Sequence, residues 1–203
     1  VLGGEHGLLP ALISAIKTHP QLESDLEQIT IIQFDAHADL RDELDGDKWS
    51  HACAARRSLD RGVGKIIQIG VRAWSREEAM FSENDNRVRT HLASDILAVD
   101  DGQKVWDSLI YELSMISGPI WISVDIDVLE GYLVPSTGTP VPGGLSWWHL
   151  ESALATIFEA KNCKVLGADV VEIVPDLEGS LTPFTAAMIA TRIVGGHIHR
   201  SIQ

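Results

Sequence analysis

Four short runs of β-branched and aliphatic residues limit what this chain can fold into. They are "ITIIQF" (Ile29 to Phe34), "KIIQIGV" (Lys65 to Val71), "PIWISV" (Pro119 to Val124) and "KVLGADVV" (Lys164 to Val171). Each is short and largely apolar, as a strand buried on both faces must be. Segments with helical spacing lie between them. Leu8 to Lys17 repeats apolar residues on one face, and Ser50 is placed to cap a helix reaching Asp60. "GQKVWDSLIYELSMIS" sets Val105, Leu109, Leu113 and Ile116 on one face. Ser146 is placed to cap a helix ending near Lys161, and another is expected from Thr182 to Val194, with Pro183 tolerated in its first turn. This alternation predicts an α/β fold with a parallel sheet and helices on both faces. No repeat or linker interrupts it, so residues 1–203 are read as one domain. The opening "VLGG" reads as the end of a strand already under way, and further residues are expected upstream.

Charge narrows the partners. Lys and Arg number 16 against 29 Asp and Glu, a net charge of -13. That argues against nucleic acid and anionic membrane surfaces and favours small cations. No apolar run reaches the roughly 18 residues of a membrane span. With no secretory pattern in "VLGGEHG" and only Cys53 and Cys163 as thiols, the expected setting is the cytoplasm. The six tryptophans, among them adjacent Trp147 and Trp148, are read as core, with subunit contact as the alternative.

Ligands of an open parallel sheet bind beyond the carboxyl ends of its strands. Polar residues collect there. Asp35, His37 and Asp39 follow the first run, and Arg72 the second. Asp125 and Asp127 follow the third, Glu172 the fourth, and His6 the short apolar start. His6, Asp35, His37, Asp39, Asp125 and Asp127 form a candidate ligand set of four carboxylates and two imidazoles. Two divalent cations would balance those charges and could share bridging carboxylates. An oxygen-dominated set suits Mn²⁺, whereas structural zinc sites favour sulfur. "H-x-H" at His197 and His199 lacks a nearby acid and is read as tail or packing. The segment from Asp127 to Ser146 is long, irregular and rich in Gly and Pro, the character of a functional loop.

"GGEHG", "DAHAD", "SVDIDVLEGYLVPSTGTPVPGGL" and "EIVP", in that order, resemble the motifs of the ureohydrolases, the arginase and agmatinase family. The resemblance runs from residue 1 to about residue 195. It implies a three-layer α/β/α fold lacking its first strands, and a pair of Mn²⁺ ions per subunit. It implies that His6, Asp35, Asp39 and Asp125 hold one ion. Asp35, His37, Asp125 and Asp127 would hold the other, with Asp35 and Asp125 bridging. It further implies that Glu172 binds a guanidinium, that Asp39 steadies and relays the proton of a bridging hydroxide, and that His51 shuttles a proton. The family also implies a homo-oligomer, a trimer or hexamer.

Three departures stand out. "GGEHG" replaces the usual "GGDHS", so an outer-shell hydrogen bond near His6 is expected to differ. Glu130 and Gly131 replace Asp-Pro, and Ser136 replaces a Gly in the "GTGTP" turn. None removes an expected ligand.

The implied reaction is hydrolysis of a guanidino compound to urea and an amine. The stretch after Asp39 resembles agmatinases most, and agmatine, a dication, matches the chain's charge. Guanidinobutyrase, arginase and formiminoglutamase activities are the alternatives. The last would need basic residues at the site mouth, for which Arg41 and Arg72 are candidates. Readings from other classes are a non-catalytic metal-binding homologue and a dinuclear phosphoesterase. Motif order and the shortage of basic residues oppose the phosphoesterase.

Overall fold

The computed structural model describes residues 1–20, 22, 25–175 and 179–202. Its sheet contains β1 (Thr30–Phe34), β2 (Lys65–Val71), β3 (Val88–Leu92), β4 (Gly118–Asp125) and β5 (Cys163–Val171). The strands lie in the order β3-β2-β1-β4-β5, all parallel. Four of them coincide with the four apolar runs. β3 was not among the runs because "VRTHL" has only two apolar residues. It is an edge strand whose interior residues are partly solvated, so no apolar run is demanded there.

Helices cover both faces. On one side lie α1 (Leu9–Ile16), α2 (Ala54–Asp60) and α3 (Arg76–Asn84). Leu9, Ile13, Ala55 and Leu59 pack there on Ile31, Ile66 and Trp121. On the other lie the short α4 (Ala93–Ile96), then α5 (Gly102–Ser114), α6 (Trp147–Glu159) and α7 (Leu181–Ile202). Leu109, Leu113, Leu154 and Ile189 meet Ile32, Ile120 and Ile122 in that layer. Ile31 and Ile32 thus serve opposite layers, as strand alternation requires. The result is a three-layer α/β/α architecture.

Ser146 caps α6 as expected, accepting from the His149 N–H in a reciprocal capping box. Ser50 makes no side-chain cap, and a 3-10 turn at His51–Cys53 precedes α2. α7 runs about two turns beyond Val194. Its Gly195-Gly196 pair does not stop it. A β-carbon at Gly196 would sit 2.4 Å from the Phe158 ring, so this glycine lets α7 approach α6 closely. Of the two adjacent tryptophans, Trp147 packs against the core, while Trp148 is 71% exposed, contrary to the core reading. Trp49, 56% exposed, departs from the core reading as well. Leu2 forms an isolated parallel bridge with Val170, so the opening residues do take a strand-like course beside β5.

The chain builds β1, β2 and β3 in one direction, then returns to place β4 on the other side of β1. The strand order therefore reverses between β1 and β4, and a crevice forms beyond their carboxyl ends. Phe34 lies opposite Val124, so Asp35 and Asp125 leave the sheet at the same level.

Candidate metal centre

At this crevice the six expected ligands come together. His6, Asp35 and Asp39 form one group, and Asp35, His37 and Asp127 a second; within each, the potential ligand atoms all lie within 4.8 Å of one another. Asp35 belongs to both. Asp125 falls outside both groups by that spacing, although its Oδ2 lies 3.6 Å from His6 Nδ1. His6 Nδ1 is 3.1 Å from Asp35 Oδ2 and 3.0 Å from Asp39 Oδ2, and His37 Nδ1 is 3.0 Å from Asp127 Oδ2.

Local backbone structure aims these groups. Asp35 Oδ1 accepts the His37 N–H at 2.7 Å, Asp125 Oδ1 the Asp127 N–H at 2.9 Å, and Asp127 Oδ1 the Ala36 N–H at 3.0 Å. In Asp127 that leaves Oδ2 for the cluster. Asp39 has a positive φ of 52°, and its carbonyl accepts the Arg56 N–H. Left-handed backbone at a non-glycine residue is strained and is retained where the surroundings dictate it. Glu172, with φ 64°, is a second such residue.

The electrostatics call for cations. Asp35, Asp39, Asp125 and Asp127 are all buried, and burying several unpaired carboxylates is costly. Protons concentrate at the cluster instead. Burial disfavours a charged His37, but Asp127 and Asp35 outweigh it and lift the imidazole to about 11. Burial and the charge of Asp35 push Asp39 up to about 7, and burial with Asp35 and Asp127 pushes Asp125 well up. Burial opposes a charged His6, yet Asp125, Asp35 and Asp39 raise it well above its ordinary value. Asp35 goes the other way: burial is overcome by His37 and His6, which hold it low. His6 Nδ1 tests the fit to a metal. Among the described residues this buried nitrogen has no partner in hydrogen-bond geometry, though it faces three carboxylates. An imidazole nitrogen converging with three carboxylates suits a shared cation that would displace its proton, and the oxygen-rich donor set suits a hard one.

Several supporting residues were not identified from the sequence. His6 Nε2 meets Ser123 Oγ at 2.9 Å, and Ser123 donates to Asp169 Oδ1 at 2.7 Å. With the Ser123 proton committed to Asp169, Nε2 is the donor to Ser123, so Nδ1 is the nitrogen that could bind a metal once its own proton is displaced. Asp169 Oδ2 accepts from Trp121 Nε1. On the other side, Gln33 Nε2 donates to Asp35 Oδ2 at 2.8 Å, and Gln68 Nε2 donates to Gln33 Oε1 at 2.9 Å. A signal for Gln33, Gln68 and Ser123 existed. Each is a polar residue inside an apolar run, and each is fully buried.

Glu172 is half-buried beside this cluster. Its Oε1 accepts the His6 N–H at 2.7 Å, and its own N–H donates to the Gly4 carbonyl. A cavity of about 370 Å³ adjoins the ligand groups and is lined by His37, Asp39, Arg41, His51, Trp74 and Thr139, among others. Arg41 pairs with Glu78 at 3.6 Å on its wall. Arg72 is otherwise committed. Its guanidinium donates to the carbonyls of Asp127 and Val141, each at 2.7 Å, and fastens the long loop to the sheet. His197 and His199 lie exposed on the last turns of α7, outside both ligand groups. Cys53 and Cys163 are buried and free.

Fold and cluster together define a class: a parallel α/β domain with a carboxylate-imidazole site at its topological switch point. The chain belongs to the arginase family, whose family model matches residues 1–195. It is 37% identical over 194 residues to an agmatinase of Pyrococcus horikoshii, covering 96% of this chain and 61% of that protein. It is 31% identical over 195 residues to an N(1)-aminopropylagmatine ureohydrolase of Thermococcus kodakarensis, covering 96% and 60%. The crystal structure of the agmatine ureohydrolase of Thermoplasma volcanium superimposes with a TM-score of 0.76 at 29% identity, covering 97% of this chain and 61% of that one. The chain thus spans about three fifths of the length of these relatives. Among the described residues, no helix is long and apolar enough to cross a membrane.

Proposed function

We propose that the full protein hydrolyses a guanidino compound to urea and an amine, with agmatine as substrate and putrescine as the second product. The observation that carries this reading is the sharing of Asp35 between two ligand groups beside a cavity that Asp39 and His51 line. His6, Asp35, Asp39 and Asp125 would hold one Mn²⁺, and Asp35, His37, Asp125 and Asp127 the other. Two such ions, when bound, lower the pKa of a shared water enough to supply hydroxide near neutral pH.

The chain's own groups perform the remaining tasks. Glu172, tethered through Oε1 to the His6 N–H, retains acceptor capacity on Oε2 for charge-assisted hydrogen bonds to a guanidinium. Asp39 would steady the attacking hydroxide and relay its proton as the tetrahedral intermediate collapses and the C–N bond to the amine breaks. His51 would donate a proton to the leaving amine. The acidic chain would draw a dicationic substrate toward the crevice. The likeness to an aminopropylagmatine ureohydrolase favours one second reading, a longer cationic tail on the same guanidine. A homo-oligomer is part of the proposal by family resemblance, and a cytoplasmic setting by the two cysteines, too few for a disulfide framework.

A substrate panel tests the assignment. Full-length protein loaded with Mn²⁺ should release urea from agmatine faster than from arginine or guanidinobutyrate. The reverse order would sink the agmatine assignment. Higher kcat/KM on aminopropylagmatine than on agmatine would favour the second reading. Measurable phosphatase activity without urea release would revive the phosphoesterase reading.

A further inference from the structure

"GGEHG" departs from its expected form at Glu5 and at Gly7, and both departures meet at His51. Glu5 Oε1 accepts the backbone N–H of His51 at 2.8 Å and lies 3.6 Å from His51 Nδ1. Gly7 leaves this approach open. A β-carbon there would sit 2.8 Å from the Trp49 carbonyl oxygen and 3.0 Å from Glu5 Oε1. A side chain at position 7 and the Glu5 carboxylate therefore compete for one place.

The first N–H groups of a helical segment lack partners within it and need an acceptor from outside. His51 holds the first position of its turn, and its N–H takes an acceptor from Glu5, 46 residues away. With Nδ1 on the Glu5 side, Nε2 is the nitrogen left for the cavity that His51 lines. The next residue continues the pattern: His6 gives its N–H to Glu172 and turns its ring toward Asp35 and Asp39. Residues 5 to 7 thus join the ligand groups, Glu172 and His51 through one short stretch.

We propose that Glu5 is a positioning residue for His51 and that Gly7 provides the space this requires. The proposal rests on the reading of His51 as proton donor to the leaving amine. A side chain at position 7 could not be accommodated without moving Glu5 or the Trp49–His51 segment.

Full-length Mn²⁺-loaded protein, assayed for urea release from agmatine, tests it with Glu5→Ala, Glu5→Gln, Gly7→Ser, His51→Ala and the Glu5→Ala/His51→Ala double variant. One lost hydrogen bond to a charged acceptor corresponds to roughly a ten- to hundredfold effect when buried, and less at this exposed site. Glu5→Ala and Gly7→Ser should therefore lower kcat about three- to tenfold, with KM changed less than about twofold. Glu5→Gln, which keeps an acceptor oxygen, should recover most of the loss. Adding Glu5→Ala to His51→Ala should cost nothing further. Metal per chain should be unchanged, and the His51 amide should exchange its hydrogen faster in Glu5→Ala. The exchange measurement reads without turnover. An equal loss in both backgrounds, loss of metal, or unchanged exchange at His51 would overturn the proposal. A native kcat in His51→Ala would overturn the reading of His51 itself, whereas a slow His51→Ala with a native Glu5→Ala would overturn the role of Glu5 alone.

Discussion

His6 gives Nε2 to Ser123 Oγ at 2.9 Å and turns Nδ1 toward Asp39 Oδ2 at 3.0 Å. The first contact favours the arrangement in which Nδ1, once its proton is displaced, could bind a metal. The ring is thereby aimed by a residue of β4 at a carboxylate that follows β1, across the point where the strand order reverses.

The Ser123 contact should govern metal affinity. Ser123→Ala removes the acceptor for His6 Nε2 and leaves a buried N–H unpaired. Loss of such an outer partner costs about ten- to hundredfold in metal affinity. Mn²⁺ titration by calorimetry should show a drop of that size with an unchanged circular dichroism spectrum. Native affinity would mean that Ser123 does not orient the ring.

Asp35 and Asp39 should separate. Asp35 belongs to both ligand groups, whereas Asp39 belongs to one. Asp35→Asn should lose metal outright, and Asp39→Asn should impair hydrolysis more than total metal binding. Metal content and urea release on the same preparations decide it. Equal metal loss in the two variants would contradict this division of roles.

Binding of Mn²⁺ should release protons. In the metal-free protein His37 sits at about 11 and Asp39 at about 7, and Asp125 and His6 are also raised. A raised pKa means that the ligand holds its proton to higher pH. Protons therefore compete with the metal, and apparent affinity should rise as pH rises from about 6 to 8. Calorimetry in buffers of different ionisation enthalpy counts the protons. Proton uptake on binding, or a flat affinity across that range, would refute it.

Glu172→Gln should remove the charge that meets a guanidinium while sparing the ligands. Hydrogen bonds to charged groups contribute about 1.5–3 kcal/mol, so kcat/KM should fall about ten- to hundredfold with metal content unchanged. Steady-state urea release alongside elemental analysis checks this, and an unaltered kcat/KM would remove Glu172 from substrate binding.

Much of this site was legible because strand ends and ligand residues are adjacent in sequence: Asp35 follows Phe34 at the end of β1, and Asp125 closes β4. β3 and α3 were not among the elements read from the sequence because their exposed residues carry little apolar pattern. The expected helix start at Ser50 failed because a 3-10 turn at His51–Cys53 comes first, and in it the Cys53 N–H goes to the Ser50 carbonyl instead of its side chain. Arg72 was a candidate for binding a substrate carboxylate only under the formiminoglutamase alternative. Its partners are backbone carbonyls of a loop far along the chain, which no local pattern reveals. The same holds for Asp169, whose link to His6 passes through Ser123.

The most direct test of the two-metal account is anomalous diffraction at the manganese edge from crystals of the Mn²⁺-loaded full-length protein. It predicts two peaks roughly 3.5–4 Å apart, one beside His6 and Asp39 and one beside His37 and Asp127, with Asp35 and Asp125 between them. A single peak, or two peaks that Asp35 does not join, would contradict it.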